Sequence, residues 1–233
     1  MDIQVIASSS AGNAYAVSDG QTRLLLEAGI SIKQIRRSVN FGVSQLAGCL
    51  ISHSHADHSK AVQGLMDAAV NCYMSQATAT EIGAGGHRVQ IIEPLRQFRL
   101  GTWTVLPFPA VHDVECLGFL LAGGDGAKLL YLTDSAYCPN RFQGLTNLMI
   151  ECNYSADILR RSVQAGMVSV ELKNRILRNH MSLERLLTFL AANDLSQLQA
   201  TWLLHLSDAN SDAALFKRKI QEATASPVYI ADA

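Results

Sequence analysis

His53-Ser54-His55-Ala56-Asp57-His58 puts three histidines and an aspartate into six residues. It follows Leu46-Ala47-Gly48-Cys49-Leu50-Ile51, an apolar run that reads as a buried strand. The cluster therefore falls on the loop where a strand ends, where binding groups gather. Imidazole and carboxylate are ligands that Zn²⁺ and Mn²⁺ accept. Alternation sends His53 and His55 to one side and turns Asp57 and His58 toward a second point nearby. That spacing suits two metals held close together; the bland alternative is a polar loop with surface histidines.

Working outward, His112 follows the strand-like Trp103-Thr104-Val105-Leu106 within Pro107-Phe108-Pro109-Ala110-Val111-His112-Asp113. Asp134 ends Leu129-Leu130-Tyr131-Leu132-Thr133-Asp134, and His205 ends Trp202-Leu203-Leu204-His205. Three separate strands thus each deliver a metal-competent side chain at a carboxyl-terminal end, the way a rigid sheet edge presents ligands. A lone histidine in such a place is more often a structural hydrogen bonder, but the recurrence argues for a site.

These residues resemble the metallo-β-lactamase-fold hydrolase superfamily, in which an HxHxDH loop, a later His, a strand-end Asp and a final His bind two metals. The resemblance implies an αββα sandwich, α/β in class, with two mixed β-sheets flanked by helices. It implies that His53, His55 and His112 hold one ion, that Asp57, His58 and His205 hold the other, and that Asp134 bridges them. It runs from Ser8-Ser9-Ser10-Ala11-Gly12-Asn13 to His205-Leu206-Ser207 and is greatest to YycJ/WalJ-type nucleases. Their Glu-x-Asn-Tyr/His segment, basic helix and later His-x-Ser read here as Glu151-Cys152-Asn153-Tyr154, Leu172-Lys173-Asn174-Arg175-Ile176 and His180-Met181-Ser182. Three departures stand out. Thr133-Asp134-Ser135-Ala136 replaces Thr-Asp-Thr-Gly, Asn179 replaces the Gly before the later His, and Glu27 replaces the usual Asp that supports the metal loop.

At 233 residues, 48% hydrophobic and 17% charged, the chain can bury a large core as one domain over residues 1–233. The five cysteines, at 49, 72, 116, 138 and 152, are scattered and odd in number, and Cys49 and Cys152 fall in apolar strands. That usage suggests a reducing compartment rather than a disulfide framework. No signal peptide and no bilayer-length apolar stretch is visible, so a cytoplasmic protein without a membrane partner is expected.

The first third reads as strands at Ile3 to Ala7, Ala14 to Val17 and Thr22 to Ala28, with a hairpin turn at Asp19-Gly20. Helices are expected from Ile32 to Val39 and from Ser59 onward, where Val62, Leu65, Met66 and Ala69 recur at helical spacing. Strands follow near Val89 to Ile92, Thr102 to Leu106, Leu117 to Leu121 and Lys128 to Leu132, with a turn at Gly123-Gly124-Asp125-Gly126. Beyond Met149-Ile150 the pattern is helical, interrupted by a strand from Leu198 to Leu204 and closing with a helix from Ala213 to Ala223. Ser182 reads as the N-cap of a helix carrying Leu183, Leu186, Leu187 and Leu190.

Two clustered cations would acidify a shared water and neutralise charge building on a phosphate. The expected activity is a dinuclear metal-dependent phosphodiesterase, foremost a DNA exonuclease, that uses a metal-bridging hydroxide. Zn or Mn are the expected ions. Asp57 would orient or deprotonate that water. By likeness to tRNase Z, His180 would protonate the leaving oxygen with Glu151 as its partner. His87, in Gly85-Gly86-His87-Arg88, matches nothing and reads as a loop residue. The substrate is expected to be a nucleic acid or nucleotide, and the oligomeric state is left open.

A net charge of −1 does not advertise a nucleic-acid surface. Yet Arg160, Arg161, Lys173, Arg175 and Arg178 cluster before His180, and Lys33, Arg36 and Arg37 share another helix. Solvated helix faces are the plain reading of both groups. A cyclic-nucleotide phosphodiesterase, of the kind phages use against signalling, is the alternative hydrolase. A non-catalytic metal or redox protein is the alternative from another class, disfavoured because diiron relatives place Glu where this chain has His55.

Overall fold

A computed structural model describes residues 1–231. The chain divides into two compact units, Met1–Pro109 with Val114–Ala127, and Ala110–Asp113 with Lys128–Ala231. Its strands fall into two mixed sheets with helices alongside, the α/β class expected.

In the first unit, β1 (Asp2–Ser9), β2 (Gly12–Ser18) and β3 (Arg23–Leu26) form an antiparallel meander. Gly20 makes the β2–β3 turn at φ +90°, a conformation that costs glycine little. From β3 the sheet continues in parallel through β4 (Gly48–Leu50), β5 (Cys72–Met74) and β6 (Val89–Ile91). Parallel neighbours need crossovers. They contain α1 (Ile32–Ser38), then α2 (Ala56–Ser59) and α3 (Val62–Asp67), then α4 (Gln76–Glu81). Ile35, Val62, Leu65, Met66 and Ala79 of these helices pack on Leu25, Cys49, Cys72 and Met74 of the sheet. This unit also holds β7 (Phe98–Leu100), antiparallel to β8 (Trp103–Ala110), and β9 (Cys116–Ala122).

In the second unit, β10 (Lys128–Leu132), β11 (Asn147–Glu151), β12 (Ala200–Leu204) and β13 (Val228–Ile230) run parallel in the order β13-β12-β11-β10. Every residue of β11 is buried, as a central parallel strand requires. Four helices belong to this unit: α5 (Ala156–Gln164), α6 (Val170–Asn179), α7 (Leu183–Ala191) and α8 (Ala213–Thr224). Ser182 caps α7 as expected, its hydroxyl accepting from Arg185 N. No helix among the described residues is long and apolar enough to cross a membrane.

Four local expectations are corrected. Strand β3 ends at Leu26, because Glu27 takes a left-handed φ of 63°. Helix begins at Ala56 rather than Ser59 and breaks before Val62, so Asp57 and His58 ride on a short helix. The Ser59 hydroxyl holds that turn by donating to the carbonyls of Ser54 and His55. Cys152 is buried just past the end of β11 rather than within it. The three-residue strands β5, β7 and β13 were not anticipated, being too short to display a period.

Asp19 pins the β2–β3 turn to a second loop of the same unit. Its carboxylate accepts from the N–H groups of Gln21 (3.0 Å), Thr22 (2.8 Å) and Gly124 (3.0 Å) and from the Thr102 hydroxyl. Burial opposes ionisation, but the Thr102 hydroxyl and these backbone donors outweigh it and hold the carboxyl well below its ordinary range. A depressed folded pKa contributes stability that is present above the unfolded value of 3.8 and lost as pH falls below it. The stability gap between wild type and Asp19→Asn, read from urea midpoints, is expected to be full between about pH 5 and 7 and to shrink below about pH 4. A gap that stays constant into acid would contradict this role.

Candidate metal centre

Strands β3 and β4 are parallel with Leu26 opposite Leu50, so their carboxyl ends lie side by side. The residues that follow them, Glu27 and Ser52-His53, therefore meet. Glu27 Oε2 accepts from Ser52 N (3.3 Å) and lies 3.5 Å from His58 Nδ1, both side chains fully buried. Glu27 thus supports the histidine loop, as its position in the sequence suggested. The His53 ring stands 4.7 Å from that of His55 and 4.2 Å from that of His58. Asp57 Oδ2 lies 3.4 Å from His58 Nε2. Four expected ligands converge within this unit alone.

The loop is fixed by backbone as much as by side chains. Ala28 N donates to His58 O (2.8 Å), Ala61 N to Ala28 O (2.7 Å) and Gly29 N to Asn13 O (2.8 Å). Gly29 passes so close to the loop that a Cβ on it would sit 1.5 Å from the Asp57 carbonyl oxygen.

The second unit repeats the device. Strands β10, β11 and β12 are parallel neighbours, and Asp134, Glu151 and His205 lie at or just beyond their carboxyl ends. His205 Nδ1 is 2.7 Å from Asp134 Oδ1 and 3.3 Å from Glu151 Oε1. His180 Nδ1 is 2.7 Å from the same Glu151 oxygen, and one ligand atom from each of the four residues lies within 4.8 Å of the others. Asp134 (φ 44°) and His205 (φ 53°) are both left-handed, a strained backbone for residues other than glycine. His112 Nε2 lies 4.0 Å from Asp134 Oδ2, while Nδ1 is 3.2 Å from the Asn179 carbonyl. A carbonyl only accepts, so Nδ1 bears the proton, and Nε2, which also lies 3.1 Å from Asp113 Oδ1, is the ring atom that could face a cation.

Electrostatics show what this cluster attracts. Burial pulls the His205 pKa down, yet the charges and hydrogen bonds of Asp134 and Glu151 push it up to about 10. His180 is likewise raised: Glu151, and more weakly Asp134, overcome the effect of burial. The Glu151 carboxyl is lowered despite its burial, because His180 and His205 stabilise its charge. Two buried carboxylates drawing protons onto adjacent histidines make a place that favours positive charge. A set of imidazole and carboxylate donors in such a field fits divalent transition metals.

Each expected site residue is accounted for within its own unit: His53, His55, Asp57 and His58 in one, and His112, Asp134, Glu151, His180 and His205 in the other. His87 lies in an exposed loop. Several supporting groups were missed. Asn13 Nδ2 lies 3.2 Å from His58 Nε2 and 3.4 Å from the Asp57 carbonyl. Ser52 Oγ and Cys116 Sγ lie 2.8 and 3.7 Å from His53 Nδ1. Asn179 donates its amide to Asp113 Oδ2 (2.7 Å), and Asn153 donates to the His205 carbonyl (2.8 Å). Asn13 and Asn153 lie in the segments of family likeness; nothing local marked Ser52 or Cys116.

A model of the beta-lactamase superfamily domain matches residues 22–201, and the chain belongs to that superfamily as a metal-dependent hydrolase of metallo-β-lactamase fold. Within it, the chain is 28% identical over 224 residues to Exodeoxyribonuclease WalJ of Streptococcus pneumoniae, covering 89% of this chain and 82% of that protein. It is 24% identical over 242 residues to Exodeoxyribonuclease YycJ of Bacillus anthracis, covering 95% and 88%. Among solved structures, the metallo-beta-lactamase fold protein YhfI from Bacillus subtilis gives a TM-score of 0.75 at 16% identity over 99% of this chain and 96% of that one. Human tRNase Z, short form, gives 0.69 at 14% identity over 100% and 96%. At these identities the two structures show the fold alone.

Gly29→Ala is expected to destabilise the protein by about 1–3 kcal/mol, since the backbone it meets cannot rotate away as a side chain would. Gly85→Ala, with nothing within 4 Å of its added carbon, serves as the control. Urea midpoints that fall for Gly29→Ala and hold for Gly85→Ala meet the expectation; equal midpoints contradict it.

Proposed function

We propose that the protein is a dinuclear phosphodiesterase, most specifically a DNA exonuclease. Its two divalent ions, zinc or manganese, would be held by His53, His55, Asp57, His58, His112, Asp134 and His205. The observation that carries the reading is the pairing of part-exposed His180 with buried Glu151, with 2.7 Å between Glu151 Oε1 and His180 Nδ1, beside Asp134 and His205. Likeness to two proteins named exodeoxyribonucleases over most of their length supports DNA as the substrate.

When bound, the ions supply charge stabilisation to phosphate oxygens and acidify water at neutral pH. The chain's own residues do the rest. Asp57, part-exposed, orients the attacking water and accepts its proton. Glu151 is fully buried and reaches the substrate only through His180, whose ring it fixes by Nδ1 and whose protonated form it stabilises. His180 is 17% exposed at its side chain, so its Nε2 is the atom that delivers a proton to the leaving oxygen of the sugar. This division of labour gives the carboxylate no contact with substrate.

Asp57→Ala and Asp134→Ala are each expected to abolish phosphodiester hydrolysis in folded protein, Asp134→Ala with the greater loss of metal. Full activity in either variant would show that the site is wrongly assigned. His180→Ala is expected to keep its metal and lose about 10²–10⁴ in rate on a DNA phosphodiester. The loss should be far smaller on a nitrophenyl phosphodiester, whose leaving group needs no proton. Equal losses on both substrates would remove the acid role, and loss of metal would make His180 a ligand.

A further inference from the structure

Directly after Asp134 the chain forms one wall of a cavity of about 290 Å³, close to the lower end of the roughly 300–1,000 Å³ typical of small-molecule sites. The segment from Tyr137 to Arg141 lines one side; Arg185, Thr188, Phe189 and Asn193, from α7 and the residues after it, line the other. All lie in the second unit. Among the described residues, two arginines and no acidic side chain line the cavity. Tyr137 is 49% exposed, so its ring is open to a partner at the cavity.

The cavity is tied to the candidate catalytic residues by short bonds. Ser135 N donates to Glu151 Oε2 (3.1 Å), and Ser135 Oγ donates to the Tyr137 carbonyl (2.9 Å). Arg185 Nη1 donates to the carbonyls of Ala136 (2.9 Å) and Leu177 (3.2 Å), three residues before His180. One edge of the Arg185 guanidinium is thereby anchored. Its remaining N–H groups stay available to a phosphate, which a guanidinium recognises with paired donors. Arg141, exposed across the cavity, adds a second cation.

We propose that this cavity is a nucleotide subsite, which takes one unit of a single-stranded substrate next to the bond being cleaved. Arg141 and Arg185 bind its phosphate, and Tyr137 stacks on its base. Such a pairing of backbone cation and aromatic platform is how proteins hold single strands without reading sequence. It also reconciles a chain of net charge −1 with a polyanionic substrate: the positive charge is local, not global. The subsite rests on the nuclease reading above and specifies how that enzyme holds its substrate.

The test uses metal-loaded, full-length protein and a labelled phosphorothioate oligodeoxynucleotide that resists cleavage, with binding followed by fluorescence anisotropy. Tyr137→Ala and Arg141→Ala are each expected to weaken binding roughly tenfold, and Tyr137→Phe to retain wild-type affinity. Arg141→Ala should also flatten the plot of log affinity against log salt by about 0.7. In kinetics, both alanine variants should lose about tenfold more on an oligonucleotide than on bis-nitrophenyl phosphate, through KM rather than kcat. Binding within twofold of wild type for both variants overturns the subsite, as do equal losses on the two substrates. Wild-type protein that hydrolyses neither substrate refutes the nuclease reading, and the anisotropy measurement then decides the subsite by itself.

Discussion

Carboxylates buried at the ends of parallel strands are what the rest of this structure depends on. Glu27, Asp134 and Glu151 stand at or just beyond such ends with almost no exposure. A buried carboxylate is costly unless positive charge or hydrogen-bond donors meet it. Here histidines meet all three: His58 beside Glu27, and His205 and His180 against Asp134 and Glu151. In each unit, parallel pairing brings neighbouring strand ends together, and the donors follow from that.

Left-handed backbone at Glu27, Asp134 and His205 belongs to the same device. Each residue lies just past the end of its strand, where Glu27 accepts from Ser52 N and the Asp134 carboxylate meets His205 Nδ1, at a conformational cost of order 1–3 kcal/mol apiece. Dense surroundings hold them there: Glu27 N is bonded to Leu50 O, and the His205 carbonyl is held by Asn153. Substitutions behind the donors are therefore expected to act on metal affinity before they act on folding.

Much of this was legible in the sequence because chemistry and pattern coincided. Apolar runs ending in His53, His112, Asp134 and His205 marked strand ends and donors together. Glu151 and His180 were legible only through family likeness, since neither the carboxylate that ends β11 nor the histidine between two helices has a local signature. The short helix under Asp57 and His58 was hidden because its residues are polar and face donors instead of an apolar core. Contacts such as Ser52 or Cys116 against His53, and the cavity between Tyr137 and α7, depend on tertiary placement that no spacing encodes.

Metal titration tests the central claim most directly. Chelator-treated protein would receive Zn²⁺ or Mn²⁺ stepwise, with bound metal and hydrolysis of single-stranded DNA measured at each step. Donors sufficient for two ions predict saturation near two equivalents, with hydrolysis rising mainly as the second is taken up. Saturation at a single equivalent with full activity, or hydrolysis that persists in the chelated protein, would contradict the account.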